Sequence, residues 1–109
     1  MAQLTPEDAS DLTFKARRDN RGEVVVTLGG ELDITTVGRL ESALNGLLED
    51  GARRLVIDAY ALRFADSSAI ALLVRWAKRV DEIEIMRPSP LLRKLVESMG
   101  LTEILHLTP

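Results

Sequence analysis

Three apolar segments of strand character are each followed by a stretch whose apolar residues recur at helical spacing, and this alternation limits the chain more than any other feature. Val24-Val25-Val26 is strongly β-branched, as strands favour. Val37, Leu40, Leu44, Leu47 and Leu48 then fall on one helical face. Leu55-Val56-Ile57 centres a strand over Arg54 to Asp58. A helix follows to about Arg79, with Ile70, Leu73, Val74 and Ala77 as its core face and Leu72 and Trp76 beside it, toward the rim; Trp76 is either a core filler, the commoner fate of a lone large aromatic, or an exposed partner anchor. Ile83-Glu84-Ile85-Met86 is a third, alternating strand, and Leu91, Leu92, Leu95, Val96 and Met99 stripe a last helix. Strands that alternate with helices pair in parallel through right-handed crossovers. One further strand, Leu12 to Ala16, precedes them, and the turn signal Asp19-Asn20-Arg21-Gly22 makes it an antiparallel partner of Glu23 to Leu28. The fold expected is α/β: a mixed four- to five-stranded sheet with helices packed against it.

The punctuation agrees. Thr35 or Thr36 caps the first helix and Gly51 stops it. Asp66 or Ser67 caps the second. Ser89 caps the third, with Pro90 at its first position, and Gly100 ends it. Gly29-Gly30 reads as the exit from a strand, Leu62 and Phe64 as apolar loop residues, and Tyr60 as a loop residue over the sheet edge. Leu101 to Leu105 reads as a final turn or short helix packed back on the sheet. The 109 residues make one domain, 1–109, with a loose start over about 1–11.

Several functions fit this chain poorly. There is no cysteine, and the one histidine, His106, cannot hold a metal alone. No cofactor motif is present: Gly29-Gly30 lacks the phosphate-loop pattern, and Glu31 would repel a phosphate. Basic residues occur as scattered pairs, Arg17-Arg18, Arg53-Arg54 and Lys78-Arg79, in a chain of net charge −3, unlike the basic face of a nucleic-acid binder. The longest apolar run, Ala69 to Val74, is far short of a membrane span. A serine hydrolase would need a base, and the one histidine, His106, lies four residues from the end; the sequence also lacks the Gly-x-Ser-x-Gly elbow that would present the serine.

Two segments remain at strand-to-helix junctions, where α/β proteins gather working groups: Gly30-Glu31-Leu32-Asp33 and Phe64-Ala65-Asp66-Ser67-Ser68-Ala69. If their strands are neighbours, Asp33 and Asp66 share a rim with the serines. Asp-Ser-Ser before an apolar run is by itself an ordinary helix cap. A phosphate there would find helix amides and a favourable dipole, but also nearby carboxylates.

These two segments resemble the STAS domain family, specifically the bacterial anti-sigma factor antagonists. So do Leu55-Val56-Ile57-Asp58 and Pro88-Ser89-Pro90 leading into Leu91, Val96, Gly100 and Leu101. The likeness runs from about Leu12 to Leu107. It implies a non-enzymatic cytoplasmic regulator whose unphosphorylated form binds an anti-sigma factor that is also a serine kinase. Binding frees a sigma factor, phosphate on Ser68 breaks the complex, and a phosphatase restores it. Asp33, Asp66, Ser67, Ser68, Ala69 and Leu72 would form the partner surface. The chain departs from the family at Ala69, where glycine is usual, and at Arg87, where asparagine is frequent. Its link Val80-Asp81-Glu82 is also short. The alternative is a STAS accessory subunit of a lipid-transport ATPase, or a signalling scaffold, presenting the same helix. Neighbouring kinase or sigma-factor genes would favour the first reading, and permease and ATPase genes the second.

Overall fold

The computed structural model describes residues 12–49 and 51–109; the expected loose start over 1–11 lies outside them. The described residues form a sheet of five strands whose spatial order equals their chain order. They are β1 (Leu12–Arg18), β2 (Glu23–Leu32), β3 (Arg54–Ala65), β4 (Glu82–Met86) and β5 (His106–Thr108). The helices are α1 (Val37–Leu44), continued by a 3-10 turn over Asn45–Leu48, then α2 (Ser67–Ala77) and α3 (Pro90–Ser98). β1 and β2 are antiparallel, and every later pairing is parallel. The first turn closes because Asp19 Oδ1 accepts from the Arg21 and Glu23 amides, while Gly22 supplies a φ of 85° that favours glycine.

Alternation sorts the sheet into two faces. Val24, Val26, Leu28, Leu55, Ile57, Ala59, Ile83 and Ile85 join the helical residues Leu40, Leu44, Ile70, Leu73, Leu92 and Val96 in one core. The intervening residues, including Lys15, Arg17, Thr27, Arg54, Asp58 and Glu84, lie outside that core on the opposite face. Arg54 is the hub there: its guanidinium pairs with Glu23 at 2.8 Å, with Glu82 at 3.3 Å and with Glu84.

Two expectations fail at segment ends, and a fifth strand is added. Gly29-Gly30 does not end β2: Gly29 pairs with Thr13 and Ala61, Gly30 with Leu12 and Leu62, and the strand runs to Leu32. A Cβ at position 29 would come 2.7 Å from Thr13 Oγ1, so the Thr13 side chain would have to turn to admit one. Leu62, Phe64 and Tyr60 are not loop residues. They belong to β3, which follows β2 through two register shifts, the local bending that bulges produce. The C-terminal residues His106–Thr108 form a fifth strand beside β4, and Leu105 before them is fully buried.

A third correction concerns α2. Leu72 is not at its rim but in the core, at 0% exposure with Ala69 and Ile70, and Trp76, also at 0%, is the core filler that a lone large aromatic more often is. The helix lies over the sheet beside both α1 and α3, so its buried arc is wider than that of a helix with one neighbour.

Arg87 has a φ of 53°, a region sparsely populated by side-chain-bearing residues. Three contacts hold it: its amide donates to Thr108 O at 2.8 Å, its guanidinium meets Asp58 at 2.6 Å, and the same group stacks 4.6 Å from the Tyr60 ring centre. Hydrogen bonding from Arg87 holds the Asp58 carboxyl below its ordinary 3.8. A depressed carboxylate stabilises the fold above its unfolded pKa, and that contribution disappears as pH falls through the folded value. The pair is partly exposed, so its worth is about 0.5 kcal/mol. Asp58→Asn should therefore melt about 2–4 °C below the parent at pH 7, and the gap should close below pH 3.8. Thermal melts of both proteins from pH 7 to pH 3 check this; a gap that stays constant removes the ion pair as its cause.

Candidate functional site

The two junctions singled out in the sequence are neighbours. Leu32 pairs with Ala65 and Glu31 with Phe64, so β2 and β3 release their following loops side by side. Asp66 joins them. As the cap of α2 it accepts from the Ser68 amide at 2.9 Å and the Ala69 amide at 3.3 Å through Oδ1. Through Oδ2 it accepts from the Ile34 amide of the other loop at 3.3 Å. Its own amide donates to Leu32 O at 3.4 Å. One carboxylate thus caps a helix and fixes the distance between two loops.

Asp33 is engaged within its own turn. Its Oδ1 accepts from the Thr35 amide at 2.9 Å and the Thr35 hydroxyl at 2.6 Å. That hydroxyl leads the interactions that hold the Asp33 carboxyl below the usual carboxylate range, so Asp33 is a fixed negative charge at neutral pH. Thr36 caps α1 by position, but its hydroxyl is used one turn earlier, donating to Glu31 O and accepting from the Asp33 amide, each at 3.0 Å.

Ser67 is exposed and Ser68 half-buried. Among the described residues, neither hydroxyl makes a hydrogen bond, while the Ser68 amide is held by Asp66. The backbone is therefore fixed and the hydroxyl oxygen is free to react or to be covered. The donors that favour an anion at a helix start are already taken: the Ala69 and Ile70 amides also lie within 3.0 and 3.3 Å of Asp66 O. A phosphate on Ser68 would add negative charge beside Asp66 with few free amides to offset it.

Two residues of the expected surface lie beneath it. Ala69 and Leu72 have 0% exposure, so their side chains pack the core and offer nothing to a partner. The methyl of Ala69, where the resembled family usually has glycine, is buried in the core. The surface has instead a residue the sequence reading passed over. Ile34 is 71% exposed on the loop that Asp66 grips. An isoleucine between Asp33 and the capping threonines, outside the apolar stripe of α1, was the available signal. Phe64, at 44%, is a second exposed apolar side chain near the junction.

The serines have no histidine beside them. His106 pairs across from Glu84, and Glu84 from Val56, nine residues before Ala65 along β3. At about 3.3 Å per residue that leaves roughly 25 Å or more between His106 and the serine pair. Among the described residues, no helix is long and apolar enough to cross a membrane.

Comparison with known proteins agrees with this geometry. The family model described as "Mlab, STAS domain" matches residues 16–108. An anti-sigma factor antagonist from Mycobacterium paratuberculosis superposes with a TM-score of 0.80 at 25% identity, covering 98% of this chain and 91% of that one. The anti-sigma factor antagonist SpoIIAA in its unphosphorylated form gives 0.76 at 24% identity, covering 89% of each chain. The Bacillus cell-fate determinant SpoIIAA in its phosphorylated form gives 0.70 at 24%, covering 89% of this chain and 92% of that one. No curated protein sequence gives a significant match.

Proposed function

The chain belongs to the STAS domain family, and from that premise we propose that it is an anti-sigma factor antagonist acting as a phosphorylation-controlled partner switch in the cytoplasm. The unphosphorylated form binds an anti-sigma factor that is also a serine kinase, and so frees a sigma factor. In the return step the kinase moves the γ-phosphoryl group of ATP to Ser68. The Ser68 Oγ–P bond forms, the bond to the departing ADP oxygen breaks, and the hydroxyl proton passes to a base on the kinase. A phosphatase hydrolyses the ester. ATP belongs to the kinase, so this chain is substrate and ligand and needs no cofactor of its own.

The observation that carries this reading is the state of Ser68: a hydroxyl without a hydrogen bond, on a backbone held by Asp66, at a rim that also exposes Ile34. An unengaged hydroxyl can enter a kinase site without first breaking an internal contact. The fixed carboxylates of Asp33 and Asp66 make the rim acidic already, so a phosphate raises like charge where a partner packs. The test is copurification from the native cell, with intact mass measurement and site mapping. Recovery of a kinase-type anti-sigma factor, with phosphate on Ser68, supports the switch. Recovery of transporter subunits with Ser68 unmodified replaces it by the accessory-subunit role, which uses the same surface.

Ile34 supplies the apolar anchor of that surface. An exposed apolar side chain held by its backbone loses little entropy on docking, and such anchors carry much of an interface's energy. Ile34→Glu is expected to weaken partner binding by about 30-fold, the equivalent of ~2 kcal/mol, with no more than about 1 °C change in melting temperature. Titration calorimetry beside a thermal melt reads both; unchanged affinity removes Ile34 from the interface.

A further inference from the structure

Among the described residues the sheet ends at β1, and this edge carries two different kinds of side chain. Phe14 and Ala16 point to the core face and are only partly buried against it. Lys15 and Arg17 alternate with them on the opposite face and are exposed. That face has shallow grooves of about 210 and 220 Å³ that share Lys15 and Thr27.

The charge balance there is local. Glu23, Glu82 and Glu84 are held by Arg54, and Asp58 by Arg87. Among the described residues, Lys15 and Arg17 have no ion pair. Among the described residues, a chain of net charge −3 therefore presents a positive stripe along one sheet edge, partly offset at Arg17 by the nearby Asp19. An open strand edge pairs readily with another extended chain. Two copies of this edge would set Lys15 and Arg17 against the same residues, and like charges opposed across strands destabilise the pairing.

We infer that β1 is a second interaction surface, distinct from the serine rim, and that it takes an extended segment of a partner protein in which carboxylates alternate with apolar side chains. Such a segment adds a sixth strand by backbone hydrogen bonds. Its carboxylates lie beside Lys15 and Arg17, because side chains two apart on a strand share a face. Its apolar residues lie beside Phe14 and Ala16 and complete their burial. The basic stripe excludes a second copy and selects an acidic strand.

The probe is a seven-residue peptide alternating glutamate and valine, titrated into the full chain and followed by amide NMR and hydrogen exchange. Shifts and added protection are expected over Thr13–Arg17, with affinity falling steeply as salt rises. Lys15→Glu combined with Arg17→Glu should weaken the peptide at least tenfold and should bind the lysine–valine counterpart instead, without loss of melting temperature. Ser68→Asp should leave the peptide's affinity unchanged, which separates this surface from the serine rim. The inference fails if the β1 amides do not respond, or if both peptides bind the parent equally. It also fails if the β1 amides gain protection when protein concentration alone is raised, since the occupant is then a second copy.

Discussion

Ser68→Asp is expected to lose affinity for the anti-sigma partner by about 100-fold or more, because charges of like sign forced together at a docked surface cost several kcal/mol. The side chain would stand beside Asp66, whose carboxylate is fixed by the Ser68, Ala69 and Ile34 amides and cannot turn away without releasing them. The fold should hardly notice. Ser68 is only half-buried, so a carboxylate there reaches water in the free protein, where solvent and salt screen its repulsion by Asp66. Ser68→Ala should bind like the parent and resist phosphorylation. Calorimetric titration of both variants against the partner, with melts in parallel, reads the result. If Ser68→Asp binds as tightly as the parent, added charge at this position is not the switch.

The second large effect is on stability. Trp76→Ala should cost about 3–5 kcal/mol, or a melting temperature lower by roughly 20 °C for a domain of this size. That is a large share of the total stability of a small domain. Trp76 is the chain's one tryptophan and fills the centre of the core at 0% exposure. Its Nε1–H has no hydrogen-bond partner among the described residues. A buried donor left unpaired costs about 1–3 kcal/mol, so Trp76→Phe should cost less than half as much as Trp76→Ala: it loses volume but also removes that donor. Denaturant unfolding measures both. A partner anchor would behave in the opposite way, with Trp76→Ala melting like the parent and losing the partner.

The helices were legible from local signals. Ser89 accepts from the Leu92 amide at 3.1 Å with Pro90 following it, and Gly100 has a φ of 71°, as cap and stop residues at those positions imply. Asp66 as cap of α2 was legible in the same way. Its second role was not: the Ile34 amide is 32 residues away in sequence, and no local pattern encodes that contact. The same holds for Leu72 and Trp76. Their place on the helix circumference is a local fact, but burial depends on how many elements pack around α2.

The sequence by itself determined the element types, their order and the parallel crossovers, because hydrophobic period and cap chemistry act within a few residues. It also carried the family likeness and the serine pair at a helix start. Only the tertiary structure decided how far β2 and β3 extend, that the last three residues of strand form at all, and what surrounds the serines. Gly29 stays in its strand because β1 and β3 satisfy it from both sides, and His106–Thr108 is a strand because β4 offers an edge. Backbone hydrogen bonds in a sheet are made between segments distant along the chain, so strand ends and sheet edges depend on the partner as much as on the residues themselves.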